Sequence, residues 1–492
     1  MKVVLIKPYW QVEGLKVTPP LGLISLAAYL RERMKPAPDL IVLDQAALRM
    51  SVGRIEEFLK RERPDAIGIT GLTFEAPAIK ALAALSKRVL PETALMVGGP
   101  HATVFFDHLL ENTRADMAVL GEGEVTFLEL IERIREGKDW KDVPGIAYRA
   151  GDGTIAKNPA PPPIEDLDSL PLPAWDLIDL PRYSKFSEMN NILKGWPYMF
   201  IFTSRACPYG CIYCHQVFGK RFRARSVEST LEEIRRLVRD HGVKEIQIID
   251  DIFNWDVDRA KEICRGIIRE GIKIGISFPN GIRGDRLDGE LIELLARAGC
   301  YSMTFAVETA TPRLQQMLRK FADLDKIGWA ITKAYDEGII PMGFYMLGFP
   351  TETREEMEET IRFACRSKML KVGFFLVVPF PRTRLFDLFR ETYPDDFKLD
   401  DFNLDNMRYF TADSFYQRVT GIDLVSVLRN AYRRFYLDPG RLVNIFTRFP
   451  WNRHLLRSMY RAFPTTLAGG YKIGEWRSRL TRRRLGMEVK ER

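Results

Sequence analysis

The chain has 492 residues, 46% of them apolar and 28% charged, and a net charge of +8. That length exceeds one ordinary core and predicts about three domains. Six cysteines in so long a chain exclude a disulfide framework, and no apolar run approaches the ~20 residues that span a bilayer, so a soluble cytoplasmic protein is expected. The start, Met1–Lys7, is too short an apolar run for a signal peptide.

Residues 1 to about 140 alternate strand and helix patterns. Strands are predicted at Val3–Ile6, Leu40–Leu43, Ala66–Thr70, Ala94–Val97 and Ala115–Leu120, with a helix over Leu21–Arg33 opened by Pro19-Pro20. Such alternation predicts a doubly wound parallel sheet, whose ligands bind at the strand carboxyl ends. Those ends carry Thr70-Gly-Leu-Thr73, Gly98-Gly-Pro-His-Ala-Thr103 and Gly121-Glu-Gly-Glu124. A proline-rich stretch, Pro159–Pro173, marks a linker that runs from about 141 to 197.

A second alternating block follows. Strands are expected at Met199–Thr203, Glu245–Ile249, Lys273–Phe278, Ser302–Val307, Gly343–Leu347 and Gly373–Val378. Helices fall at Thr230–Asp240, Asp258–Glu270, Gly289–Ala298, Leu324–Glu337 and Arg354–Ser367. Six strand–helix units predict a partial barrel with its reactive groups at strand carboxyl ends. From about 387 the pattern turns irregular, then helical and basic. Between Arg429 and Arg492 sixteen Lys/Arg face four Asp/Glu, a local charge of +12 that leaves −4 on the rest.

The first 206 residues contain no cysteine, and then three come together: Cys207, Cys211 and Cys214, spaced Cys-x3-Cys-x2-Cys, just after the first barrel strand. Three thiolates on one loop can hold three irons of a 4Fe–4S cube and leave the fourth iron open, whereas most such clusters take four cysteines. The alternative is a zinc site with His215 as fourth ligand. Adjacent Cys214 and His215 strain that geometry. Cys264, Cys300 and Cys365 fall in or beside helical patterns and read as buried small hydrophobes.

Residues 198–386 closely resemble a radical SAM domain, in which the open iron takes the amino and carboxylate groups of S-adenosylmethionine (SAM). The resemblance implies roles for single positions. Tyr213 would border the adenine. Asp251, in Asp250-Asp251, would stand near the SAM amine, where the family usually has Gly-Gly-Glu. Asn280 and Arg283 would follow the third strand, with Arg283 pairing with the SAM carboxylate. Glu308, in Ala-Val-Glu-Thr-Ala rather than Gly-Val-Glu-Ser-Gly, would take the ribose hydroxyls. Gly348–Thr353 and Pro379–Phe386 resemble the turns after the fifth and sixth strands.

A flavodoxin-like sheet before such a barrel resembles the cobalamin-dependent branch of the superfamily. Pro20 in Thr18–Leu23, Gly98, Gly99 and His101 in Val97–Thr103, and Gly121 and Glu122 in Leu120–Glu124 match that branch's strand-end loops and would line the groove for the cobalamin nucleotide tail. The chain lacks an Asp-x-His-x-x-Gly motif, so cobalamin without a protein histidine on cobalt is expected, with Leu72, Thr73 and Phe74 under the lower face. The methylthiotransferase branch needs upstream cysteines for a second cluster, and this chain has none.

The fold class so implied is α/β: a cobalamin-binding sheet (1–140), a linker (141–197), a partial (β/α)6 radical SAM barrel (198–386) and a basic, mostly helical C-terminal region (387–492). The implied activity is C-methylation. One SAM would methylate cob(I)alamin; a second would yield a 5′-deoxyadenosyl radical that activates an inert carbon to receive the methyl group. The implied cofactors are a 4Fe–4S cluster, SAM and cobalamin, with electrons from a flavodoxin- or ferredoxin-type donor. The anaerobic magnesium-protoporphyrin monomethyl ester cyclase shares these motifs without transferring methyl, and a non-catalytic zinc or cobalamin scaffold is the third alternative. Trp476, Arg477, Arg479, Leu480, Arg482–Arg484 and Leu485 could lie on an anionic membrane, which would suit a lipid or other apolar substrate. Nucleic acid is the weaker reading of that tail.

Overall fold

Val3 to Ile6, all fully buried, form the middle of strand β1 (Lys2–Lys7) in a computed structural model of the protein, which describes residues 1–9, 17–183, 192–398, 402, 404, 415–453, 455 and 456. The described residues divide into two compact units, 1–183 and 192–398 with 415–456. In the first, β1 lies between β2 (Asp39–Asp44) and β3 (Ala66–Thr70), followed by β4 (Ala94–Gly98) and β5 (Met117–Val119), all parallel. Val4, Ile6, Ile67, Ile69, Leu95 and Val97 face the helices and form its core. The order β2-β1-β3-β4-β5 reverses beside β1, the place where doubly wound sheets open a ligand crevice.

The sheet does not stop at residue 140. β6 (Ile146–Arg149) and β7 (Ile155–Lys157) extend it as antiparallel strands. The segment from 141, expected as linker, thus contributes two strands. They are short and half exposed, so their hydrophobic alternation is too brief to read.

The second unit is a six-stranded parallel sheet in chain order: β8 (Tyr198–Ile201), then, past a small antiparallel ribbon of β9 (Ser204–Arg205) and β10 (Arg223–Ala224), β11 (Glu245–Ile248), β12 (Gly275–Ile282), β13 (Cys300–Glu308), β14 (Ile340–Leu347) and β15 (Lys371–Leu376). Sequential parallel strands joined by helices make the expected partial barrel. The helices start sharply because Ser226, Asp256, Asp288, Asp323, Thr353 and Thr383 each accept a bond from a first-turn backbone N–H. Each such cap contributes about 1 kcal/mol. The edge strand β15 is covered by the helix Leu424–Tyr436, whose Tyr432 and Tyr436 hydroxyls accept from Phe374 N and Val372 N at 3.0 and 3.2 Å. Cys264 and Cys300 are buried as expected, and Cys365 is half-buried. The basic tail from 476 to 485 lies outside the described residues, and no described helix is long and apolar enough to cross a membrane.

Glu352 ties down the turn after β14. Its Oε2 accepts from Gly348 N at 2.6 Å and Phe349 N at 2.9 Å, while Oε1 has no partner among the described residues. Burial pushes its carboxyl from an ordinary 4.5 up to about 8, despite those two backbone donors. A raised folded-state value makes the neutral form stabilising. That contribution is complete below about 4.5 and is lost as pH rises through about 8. Urea unfolding between pH 5 and 8 should therefore show stability falling by a few kcal/mol at most. The Glu352→Gln variant should show a flatter pH dependence; an equal slope in both proteins would refute this.

Candidate functional site

The three cysteines lie on the loop closed by the β9–β10 ribbon, at the carboxyl end of β8. Asp250 fixes the loop's entry. It is buried and accepts from Thr203 N, Thr203 Oγ1 and Ser204 Oγ, each at 2.6 Å. Ala206, next to Cys207, holds φ +70°, a left-handed conformation that costs a non-glycine residue about 1 kcal/mol or more. Farther along, Ile212 N donates to Leu318 O and Leu385 N to Ile212 O, at 3.1 and 2.9 Å, so the loop is stitched to two helices. Cys214 N donates to Cys211 O at 3.2 Å.

Burial pushes the Cys207 thiol above its ordinary value, with smaller upward contributions from Cys211 and Asp251. A polycationic iron–sulfur core would reverse that balance, since coordination deprotonates a thiol outright. The donor set fits a three-cysteine cluster. His215, the fourth ligand of the zinc alternative, is turned away: its Nε2 donates to Pro381 O at 2.9 Å. Among the described residues no group of three His, Cys, Asp or Glu closes around a single metal ion, whereas a cube spreads its thiolates over three corners. Cys300 opens β13 and so stands at the other end of the sheet.

The SAM candidates gather at the same strand ends. Glu308 ends β13 at φ +65°, where the pairing with β14 slips by one residue. Its Oε1 lies 3.3 Å from Lys320 Nζ, which also donates to Tyr213 Oη at 3.3 Å. Lys320 is only 6% exposed, and the residues on both sides, Arg319 and Phe321, are left-handed at φ +53° and +48°. No sequence motif marks this lysine. The fold alone brings it to the glutamate and the cluster-loop tyrosine. Burial, then the Glu308 charge, pushes the Tyr213 phenol well above its ordinary value, so it stays neutral.

Arg283 follows β12, and its guanidinium is engaged. Nε and Nη2 donate to both oxygens of Asp285, at 2.7 and 3.0 Å, and Nη2 also to Phe321 O at 3.1 Å. It lies 3.9 Å above the Tyr209 ring, and so braces the cluster loop. Asn280 falls within β12, its amide 3.2 Å from Asp250 O. Asp251 is solvent-accessible yet surrounded by protein on most sides. That recess, and then the charge of Asp250, pushes its carboxyl up to about 6.

In the first unit the glycine loops follow β3, β4 and β5. Gly99 has φ +86°, and a Cβ there would sit 2.4 Å from Thr70 Oγ1. Gly121, at φ +70°, faces open space. Thr103 joins the two loops: its Oγ1 donates to Gly99 O and accepts from Gly121 N, both at 2.9 Å. Glu122 precedes the helix Gly123–Arg135. In the turn after β3, Leu72 points outward while Thr73 and Phe74 are buried, and Leu72 N donates to Glu75 Oε2 at 2.8 Å. His101 is 2% exposed, its ring packed on Phe105 and His108, and its backbone N–H donates to Gly71 O. Pro20 is buried and starts the helix Leu21–Arg33. Gly98 is not sterically required, because a Cβ there meets Val119 at an ordinary 3.6 Å. Gly99→Ala should destabilise the first unit by about 1–3 kcal/mol and reduce cobalamin retained on purification. Unchanged denaturation and unchanged corrin absorbance would contradict the role given to this cradle.

Family models agree with the two halves. The radical SAM superfamily model matches residues 201–364 and the B12 binding domain model matches residues 13–131. An uncharacterized methyltransferase of Pyrococcus horikoshii, PH0819, is 30% identical over 477 residues, covering 94% of this chain and 99% of that protein. The anaerobic magnesium-protoporphyrin IX monomethyl ester cyclase of Rubrivivax gelatinosus is 26% identical over 471 residues, covering 94% of this chain and 82% of that one. Among solved structures, the cobalamin-dependent SAM radical enzyme OxsB, with aqua-cobalamin and SAM bound, has the same fold with a TM-score of 0.71 at 16% identity, over 99% of this chain and 79% of that chain.

Proposed function

Since the chain belongs to the cobalamin-dependent radical SAM enzymes, with a 4Fe–4S cluster, SAM and cobalamin as its cofactors, we propose that it is a C-methyltransferase acting on an unactivated carbon of an apolar or lipid-like small molecule. When bound, the cofactors supply a 5′-deoxyadenosyl radical and a transferable methyl group. Cys207, Cys211 and Cys214 would hold three corners of the cluster and leave the fourth toward the strand ends. Glu308, fixed by its left-handed backbone, would accept hydrogen bonds from the ribose hydroxyls. Lys320 would meet the SAM carboxylate, since the Arg283 fork is taken up by Asp285 and Phe321 O. Asp251 would face the SAM amine and be largely ionised at neutral pH. Asn280 would support it through Asp250 O, and Tyr213 would border the adenine. In the first unit, Pro20, Gly98, Gly99, Gly121 and Glu122 would line the groove for the nucleotide tail, His101 would back it from the interior, and the Leu72–Phe74 turn would face the corrin.

The observation that carries this reading is the contact of Lys320 with both Glu308 and the cluster-loop Tyr213 at the mouth of a three-cysteine barrel. The end-to-end match to a protein named as a methyltransferase favours methyl transfer. Oxidative cyclisation is the second reading, favoured by the cyclase that also spans 94% of this chain. Reconstituted enzyme, a flavodoxin-type reductant, a lipid extract and SAM deuterated in its methyl group separate the two. Deuterated methyl appearing in a product is expected. SAM cleavage with an oxidised, unlabelled product would reject methyl transfer.

A further inference from the structure

The helix Pro439–Arg448 packs Ile445 on the core yet leaves other large apolar side chains outside. Its inward face carries a buried arginine, Arg441, which lies 3.8 Å over the Phe435 ring and donates to Met369 O, Phe435 O, Cys365 O and Ser367 O at 2.8–3.0 Å. Its outward face carries Leu442, Val443 and Phe446, the last 71% exposed. Leu437, Trp451 and Leu456 extend this apolar surface before and after the helix, and the Trp451 ring lies 5.4 Å from that of Phe446. The helix is firmly seated. Asn444 Oδ1 accepts from Tyr335 Oη at 2.8 Å, and Asn452 Nδ2 donates to Leu193 O at 2.5 Å. Six exposed large apolar side chains on a fixed platform are more than scattered surface hydrophobes require.

The charge around the patch points to one kind of partner. From Leu424 to Leu456 the sequence has six arginines and one acid, Asp438, which caps the helix. Arg429, Arg433 and Arg453 are exposed. The chain then continues from Leu456 with ten Lys/Arg against three Asp/Glu. A second copy would bring like charges face to face, which disfavours self-association. An aliphatic and aromatic face rimmed by arginine matches the headgroup–acyl boundary of an anionic membrane. We propose that this face docks the protein on an anionic lipid bilayer, with Leu442, Val443, Phe446 and Trp451 entering the interface and the arginines meeting the headgroups.

Flotation of the full-length protein with vesicles tests this. Vesicles of phosphatidylcholine with roughly 30% phosphatidylglycerol should carry the wild type, and pure phosphatidylcholine or high salt should lower binding about tenfold. The double variant Leu442→Glu, Phe446→Glu should lose about tenfold or more, while keeping its cluster absorbance and its elution volume. The proposal is overturned if the double variant floats like the wild type, or if the wild type does not float. It is equally overturned if the wild type is a dimer that the variant splits. A variant lacking residues 457–492 gives a further check: if it alone abolishes flotation, and the double variant does not, the contact belongs to the tail instead.

Discussion

Cys211→Ala is expected to leave a folded protein that holds almost no iron. Cys211 is a partly exposed free thiol whose side-chain contact is to the Tyr213 hydroxyl of its own loop, so its loss should leave helix content and the unfolding midpoint nearly unchanged. The chemistry should collapse. A cube with two remaining thiolates has no substitute at hand: His215 is committed to Pro381 O, and Cys300 begins the nine-residue strand that Glu308 ends, roughly 26 Å away along the sheet. Iron should fall from about four per chain to near zero, absorbance near about 400 nm should vanish, and 5′-deoxyadenosine formation should drop by more than about a thousandfold. Cys264→Ala is the control. It sits in the core, so it should cost about 1 kcal/mol and leave iron content and SAM cleavage intact. Retention of a full cluster by Cys211→Ala would remove the loop from the mechanism.

Lys320→Met should produce the second large effect, and a different one. Methionine fills similar space but strips the cation from between Glu308 and Tyr213. An unpaired, largely buried carboxylate should cost about 3 kcal/mol in urea unfolding. SAM affinity, measured by anaerobic calorimetry on the cluster-loaded protein, should weaken by about tenfold to a hundredfold, because a charge-assisted contact is lost. Iron content should not change. Adding Glu308→Gln removes the stranded charge, so the double variant should regain stability without regaining SAM affinity. A Lys320→Met protein that binds SAM normally would confine the lysine to structure.

The expectations that held rest on signals local in sequence. Val3–Ile6 and the later strand runs are continuous β-branched or aliphatic stretches, so their partners follow from alternation with helices. The spacing of Cys207, Cys211 and Cys214 is likewise local, and the structure places all three on one loop after β8. What escaped depends on the folded backbone. The resemblance singles out Asp251, but only the fold shows that Asp250 turns inward to anchor Thr203 and Ser204. Lys320 lies twelve positions beyond Glu308, past a short helix, and no spacing rule links them. Arg283, expected at the SAM carboxylate, also donates to an acid two residues away, Asp285, a pairing that only the folded turn displays. The helix Pro439–Arg448 reads as an ordinary amphipathic helix until burial shows which face is inside.

In the proposed arrangement Cys207, Cys211 and Cys214 hold a cluster whose fourth iron is open to SAM at the barrel mouth. Electron–nuclear double resonance on the reduced, cofactor-loaded protein tests it directly, using SAM labelled with nitrogen-15 in its amino group. Strong coupling of that nitrogen to the cluster is the predicted result. Coupling from a protein imidazole, or none from the labelled amine, would contradict it.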